Sequence, residues 1–212
     1  MYAQLVDLLD RKQAPEILGY NDLYALTRGL LDFAHMEGRL KAELLANPGQ
    51  FVTQDPDSPL TLIDQHRAGK KVMLITNSEW YFTDAVMAFV FNPYLPSGMK
   101  WRDLFDVIIV GSRKPSFFAN ENPFFEIATP EGLLRPWHGP ISKGSAYYGG
   151  SARKLEKALG ISGDEILYIG DHMYGDVHVS KNLLRWRTGL ILSEMEDEIS
   201  AQISFRHSEA RL

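Results

Sequence analysis

Four short apolar runs, each set apart from the next by helical segments, constrain this chain most: Val72–Thr76, Val107–Val110, Ile166–Ile169 and Gly189–Leu192. A strand that alternates apolar with polar residues keeps one wet face, whereas one that is apolar throughout must be covered on both. Thr83–Phe91, Ser151–Leu159 and Val177–Arg185 read as the intervening helices, with Ser151 as an N-cap and Gly160 just past a C-terminus. Buried strands joined by helices give a parallel sheet between two helical layers, so the expected fold class is α/β.

Residues 1–58 lack such runs and read as helical. Their strongest helix spans Asn21 to about Met36, with Asn21 as N-cap, and turn signals fall at Pro15, Gly19, Asn47–Gly49 and Asp55–Pro59. A further helix, Leu60–Ala68, stops at Gly69 and leads into the first strand. The expected organisation is a helical fragment over 1–58, an α/β core over 59–205 and a tail over 206–212.

Composition excludes several functions. With no cysteine there are no disulfides and no thiolate metal site. Lys and Arg total 22 against 27 Asp and Glu, the wrong sign for binding a nucleic-acid backbone. The strongest apolar stretch, Ala85–Phe91, is too short to span a bilayer, and MYAQLVDLLDRKQ has no secretory pattern. A cytoplasmic protein is therefore expected, with no nucleic-acid or membrane partner and a homo-oligomer left open. No strand is followed by Gly-x-Gly-x-x-Gly, which argues against a dinucleotide enzyme.

In open parallel sheets ligands sit at the carboxyl ends of the strands. Three polar segments occur there. Thr76-Asn77-Ser78 offers a hydroxyl and successive backbone N–H groups that suit a phosphate oxygen, or else a helix-capping turn. Lys114, pinned by Pro115, could neutralise a phosphate as a point charge, or be a solvated lysine. Gly170-Asp171-His172-Met173-Tyr174-Gly175-Asp176 sets two carboxylates in a glycine-bounded turn. They could converge on Mg²⁺, which takes one or two carboxylates and keeps its remaining positions for water and phosphate, or cap the next helix. His172 and His178 read as polar neighbours, since no further ligand set surrounds them.

On the helical fragment, Arg28, Asp32 and His35 fall within about 60° of one another at ~100° per residue. Leu23, Leu26, Leu30 and Phe33 lie on the opposite face as an expected buried stripe. The polar stripe could read a 6-oxopurine edge or be an ordinary i,i+4 ion pair.

A hydroxyl, a lysine and an acidic pair, in this order on successive strand ends, resemble the later motifs of the haloacid-dehalogenase-like phosphohydrolases. The segments LITNSEWYFTDAVMAFVF, FDVIIVGSRKPSFF, YYGGSARKLEKALG and ILYIGDHMYGDVHVSKNLLRWRT, with TRGLLDFAH, are similar to the cytosolic purine 5′-nucleotidases of that superfamily. The resemblance runs from about residue 5 to 195. It implies a Rossmann-like three-layer parallel sheet with a helical cap fragment, and Mg²⁺-dependent hydrolysis of purine nucleoside 5′-monophosphates such as IMP and GMP. Thr76, Asn77 and Lys114 would hold the phosphoryl group, with Ser78 beside the substrate. Asp171 would ligate Mg²⁺, with Asp176 beside it or in contact with its ligands. Arg28, Asp32 and His35 would select the base, with Lys41 near the same pocket.

The superfamily's first motif, Asp-x-Asp-x-Thr/Val after an apolar strand, carries its nucleophile, and these 212 residues do not contain it. Asp55-Pro56-Asp57-Ser58-Pro59-Leu60-Thr61 comes nearest. There Pro59 takes the required position, Thr61 lies too far along, and FVTQ is a poor buried strand. The expectation is a fragment whose first strand lies outside the chain, with Val72–Thr76 and Ile166–Ile169 flanking the place of that strand without pairing to each other. The alternative is a catalytically silent nucleotide-binding module or pseudoenzyme.

Overall fold

A computed structural model of the chain describes residues 2–13, 19–192 and 194–209. The chain separates into two units, Met1–Asp55 and Pro56–Leu212.

The first unit is helical, with α1 (Tyr2–Asp10), α2 (Tyr20–Glu37), α3 (Arg39–Ala46) and α4 (Pro48–Phe51). The Tyr2 and Tyr24 rings meet edge-on at 6.1 Å, and the Tyr20 hydroxyl donates to Asp10 at 2.6 Å, which joins α1 to α2. Gly19, not Asn21, occupies the N-cap of α2, so Asn21 lies inside its first turn. The helix ends at Gly38 in the left-handed region, φ 86, where a residue without Cβ closes the last turn unstrained. Pro15 lies outside the described residues.

The expected buried stripe of α2 is corrected. Leu23 is buried, but Leu26, Leu30 and Phe33 are 52%, 60% and 61% exposed. Periodicity marks which face of a helix is apolar; how much of it is covered depends on where neighbours pack. Here α2 buries Leu23 and Thr27, one turn apart, with the Thr27 hydroxyl donating to the Leu23 carbonyl at 2.7 Å.

The second unit is α/β. Its elements are α5 (Asp57–Arg67), β1 (Met73–Ile75), α6 (Trp80–Phe91), β2 (Val107–Val110), α7 (Ser116–Ala119), β3 (Phe124–Ile127), β4 (Leu134–Trp137), β5 (Ser145–Gly149), α8 (Ala152–Leu159), β6 (Leu167–Gly170), a π-helical turn (Met173–His178), α9 (Val179–Leu184), β7 (Arg187–Leu190) and α10 (Glu194–Glu209). Five strands form one sheet in the order β1-β2-β5-β3-β4, and β6 and β7 form a second. The β1–β2, β2–β5 and β6–β7 ladders are parallel, while β3 runs antiparallel to both β5 and β4. Among the described residues, β1 and β6 share no ladder. Among the described residues, no helix is long and apolar enough to cross a membrane.

The core explains why β2 is apolar throughout. Val107 and Ile109 join one cluster with Phe117, Phe118, Tyr147, Leu155, Tyr168 and Trp186. Ile108 and Val110 point the other way, into a cluster with Trp80, Trp101, Leu104 and Phe105. Successive residues of a strand face opposite sides, so a strand buried on both must be apolar at every position. β6 differs: Tyr168 is buried in the first cluster, whereas Leu167 and Ile169 are exposed.

The sheet is not wholly parallel as expected. β3 and β4 have no long apolar runs, because β3 is only half-buried past Phe124 and β4, exposed over Leu134–Pro136, ends the sheet. β4 contains Pro136, tolerated at an edge where no ladder donor is needed on the open side. Glu126 and Arg135, opposite each other, form an ion pair across the hairpin. The fourth strand begins at Arg187 rather than Gly189, and the helix expected over Val177–Arg185 is a π-helical turn followed by α9.

At the amino ends of the strands the buried carboxylate of Asp106 collects two donors and lies beside an imidazole. It accepts from Val72 N at 2.9 Å, meets Lys143 Nζ at 3.2 Å and lies 3.6 Å from His66 Nδ1. These contacts tie β1, β2, α5 and the entry to β5 at one end of the sheet and leave the other end to its loops.

Ile109→Ala empties space at a fully buried position of β2. We expect it to cost about 2–5 kcal/mol in urea unfolding, against less than about 0.5 kcal/mol for Leu133→Ala at an exposed site.

Candidate functional site

The carboxyl ends of β1, β2 and β6 carry the polar groups that the sequence singles out. After β1 the ladder continues one residue, with Thr76 N donating to Ile109 O at 2.9 Å, and then turns. The Thr76 hydroxyl accepts from Ser78 N at 3.1 Å, while Ser112 N donates to Thr76 O and Gly111 N to Ser78 O. The loops after β1 and β2 are thereby laced together by their backbones.

Asn77 completes the lacing. Its Oδ1 accepts from Lys114 N at 2.6 Å and from the Ser112 hydroxyl at 2.9 Å, and its Nδ2 donates to Lys114 O at 3.1 Å. One amide side chain therefore brackets both backbone polar groups of Lys114. Arg113 adopts a left-handed backbone, φ 58, and the Lys114–Pro115 peptide is cis. Gly111, at φ 54, has its α-carbon so close to the Tyr148 ring that an added Cβ would fall 2.1 Å from Cε2.

The Lys114 side chain then reaches across to the other sheet. Its Nζ lies 2.8 Å from Asp176 Oδ1 and donates to the Tyr168 hydroxyl at 2.9 Å. The Tyr168 hydroxyl donates in turn to Asp176 Oδ1 at 3.1 Å, and His172 N donates to Asp176 Oδ2 at 3.1 Å. Asp176 sits in the π-helical turn, its Oδ2 over Gly170, where an added Cβ would meet it at 2.7 Å. The Ser180 hydroxyl donates to Asp176 O. Asp171, at the end of β6, is exposed.

Burial alone would raise the Asp176 carboxyl, but the hydrogen bond and charge of Lys114, then the His172 N–H and the Tyr168 hydroxyl, outweigh it and hold the group below its ordinary value. Burial pushes the Tyr168 phenol up, and the nearby Asp176 and Asp171 charges push the same way. Tyr168 is thus a neutral hydroxyl able to accept and donate at once.

The structure therefore brings Asn77, Lys114 and Asp176 into one hydrogen-bonded set, with Thr76, Ser78 and Asp171 on the same strand-end loops. It adds Tyr168, which sequence reading passed over as one apolar-strand residue among four. A signal existed: Tyr168 is the only hydroxyl in ILYI, and a buried hydroxyl needs partners. Beside Lys114, Arg113, Ser116, Tyr174, His178 and Asn182 line an open groove of about 470 Å³, with the Tyr174 and His178 rings stacked at 5.6 Å.

Arg28, Asp32, His35 and Lys41 belong to the first unit. Arg28 Nε lies 3.9 Å from Asp32 Oδ2, both exposed, and its Nη1 donates to the Tyr24 hydroxyl at 3.3 Å. His35 Nδ1 is 2.8 Å from the Leu31 carbonyl. Lys41 lies on α3, half-buried.

Whether the site fits a Mg²⁺ ion depends on its donor set. Among the described residues, no three His, Asp or Glu side chains converge as a closed metal cage. Oδ1 of Asp176 is already shared by an ammonium and a phenol, so its capacity is largely spent. Asp171 remains as a hard-oxygen donor facing solvent, and one carboxylate with waters and a phosphate oxygen suffices for this ion. The residues fit a loosely held cation at Asp171.

A model of the 5' nucleotidase family matches residues 1–212. Among curated proteins, a 5'-nucleotidase domain-containing protein of Dictyostelium discoideum is 29% identical over 178 residues, covering 82% of this chain and 30% of that protein. The chain therefore spans under a third of the length of that curated relative.

The lowered Asp176 carboxyl adds stability above the ordinary aspartate range, and loses it as pH falls through the lower native value. Removing its charge leaves the half-buried Lys114 without a counter-ion. We expect Asp176→Asn to lower stability by about 3 kcal/mol at pH 7. In denaturant titrations at successive pH values, the gap to the unmodified chain should close below about pH 4.

Proposed function

The chain belongs to the 5'-nucleotidase family, and from that premise we propose that its strand-end site holds the phosphoryl group of a nucleoside 5'-monophosphate. The observation that carries the reading is the position of Lys114 Nζ. It is anchored on Asp176 and Tyr168 at the carboxyl ends of parallel strands, its backbone bracketed by Asn77. An ammonium held by two acceptors keeps one N–H for a third, and a phosphoryl oxygen suits it. The Thr76-Asn77-Ser78 turn lies beside it, with the Asn77 side chain spent on the loop. The phosphoryl contacts assigned to this turn are therefore the backbone N–H of Asn77 and the Thr76 hydroxyl proton, Thr76 Oγ1 serving also as acceptor for Ser78 N.

Within this reading Asp171 would hold a Mg²⁺ ion, which would supply charge that offsets the build-up on the transferring phosphoryl oxygens. Lys114 stabilises the same oxygens from the protein side. Asp176 does not ligate the ion; it holds Lys114. The finer substrate assignment is a purine monophosphate such as IMP or GMP, with Arg28 and Asp32 presenting a donor and an acceptor to the base and His35 and Lys41 nearby.

The second reading, a nucleotide-binding module that does not hydrolyse, is favoured by the carboxylates. Asp176 is engaged by Lys114, Tyr168 and His172, and Asp171 lies in the turn assigned to the ion. Asp57 begins α5, and among the described residues no strand precedes it. Among the described residues, the carboxylates at the end of β6 are thus both assigned roles other than attack on phosphorus in this reading.

The two readings share binding and part at turnover. We expect the 212-residue chain with Mg²⁺ to bind IMP by calorimetry and to release no phosphate. Lys114→Ala should weaken binding at least about tenfold. Phosphate release abolished by Asp57→Asn would place hydrolysis in that loop instead. Asp32→Ala should weaken IMP while sparing inorganic phosphate; equal effects on both would reduce Asp32 to a surface ion-pair residue.

A further inference from the structure

Tyr168 touches both charged groups of the strand-end site while belonging to neither loop that carries them. The residue is 8% exposed, and its ring packs edge-on against Phe118 at 5.4 Å and tilted against Trp186 at 5.8 Å. A phenylalanine would make the same ring contacts. The added hydroxyl is costly to bury without partners, and it has two: it accepts from Lys114 Nζ and donates to Asp176 Oδ1. With the direct Lys114–Asp176 contact, three polar atoms close a ring.

The ring spans a discontinuity. Lys114 follows β2 of the five-stranded sheet, and Asp176 follows β6 of the two-stranded one. No ladder joins these sheets among the described residues. An ammonium resting on Asp176 alone could turn about its Cε–Nζ bond and swing on its flexible stem. A second acceptor at a fixed position removes that freedom. Two of its three N–H groups are then committed, and the tetrahedral nitrogen directs the third.

We propose that Tyr168 is a positioning residue: its hydroxyl tethers Lys114 across the two sheets and aims the remaining N–H, and so sets the affinity of the site for a phosphoryl oxygen. The second half of this proposal rests on the phosphate-site reading given above; the tether does not.

The test is Tyr168→Phe in the 212-residue chain, with two readouts. The first is binding of inorganic phosphate in the presence of Mg²⁺, measured by calorimetry. Affinity should fall about tenfold, the effect of a lost hydrogen bond to a charged group. In a Lys114→Met background the same change should cost nothing further, because the hydroxyl acts through the ammonium. Equal losses in both backgrounds, or no loss in either, would overturn the positioning role. The second readout is amide hydrogen exchange over residues 112–116. Exchange should quicken in Tyr168→Phe and in Lys114→Met to a similar degree. It should stay unchanged in Trp186→Phe, which trims packing on the same ring and keeps the hydroxyl. Exchange unaltered by Tyr168→Phe, or loosened equally by Trp186→Phe, would overturn the tether. A chain that binds no phosphate yet shows the exchange difference would overturn the phosphate reading and leave the tether standing.

Discussion

The ion pair between Lys114 and Asp176 is the contact on which the strand-end site depends. It joins the loop after β2 to the turn after β6, and these lie on sheets with no shared ladder. With side chains only 15% and 4% exposed, both charges have given up most of their water. A buried pair of this kind adds little net stability over an apolar substitute, because desolvation cancels much of the attraction. Its value lies in direction: once both charges are buried, each must face the other, and the loops that carry them are placed with it. Tyr168 and the His172 N–H complete the shell of the carboxylate.

The site is held from behind by a second device, built from neutral groups. Asn77 uses both ends of its amide on the Lys114 backbone, and Ser112 donates to the same oxygen. A turn with Arg113 in the left-handed region has few backbone partners of its own, and an amide side chain supplies them. Thr76-Asn77-Ser78 thus shapes the loop that presents the lysine. At the opposite end of the strands Asp106 gathers Val72, Lys143 and His66. The five-stranded sheet is pinned at its amino ends by one carboxylate and shaped at its carboxyl ends by one amide.

Much of this was legible in the sequence. Val107–Val110 reads as a buried strand because all four residues are apolar, and both of its faces meet core clusters. Thr76, Lys114 and Asp171 stand at strand ends because each directly follows or closely trails such a run. The antiparallel part was not legible. Phe124–Ile127 and Leu134–Trp137 mix apolar, charged and proline residues, since an edge hairpin needs neither full burial nor a complete ladder. The N-cap of α2 was misplaced as well. Asn21 has the better capping side chain, yet Gly19 takes the position without any side-chain bond.

The sequence by itself determined the α/β class of Pro56–Leu212, the helical character of Met1–Asp55 and the polar residues that follow each strand, because these depend on local periodicity and on the few residue types that tolerate a strand end. Only the tertiary structure decided that the strands divide into two sheets, that the Asn77 side chain serves the loop, and that Tyr168 stands between Lys114 and Asp176. Those outcomes turn on which distant segments meet: Tyr168 and Lys114 are 54 residues apart. A tyrosine in an apolar strand looks like one more core residue until the chain brings a buried charge within reach of its hydroxyl, and no local pattern records that meeting.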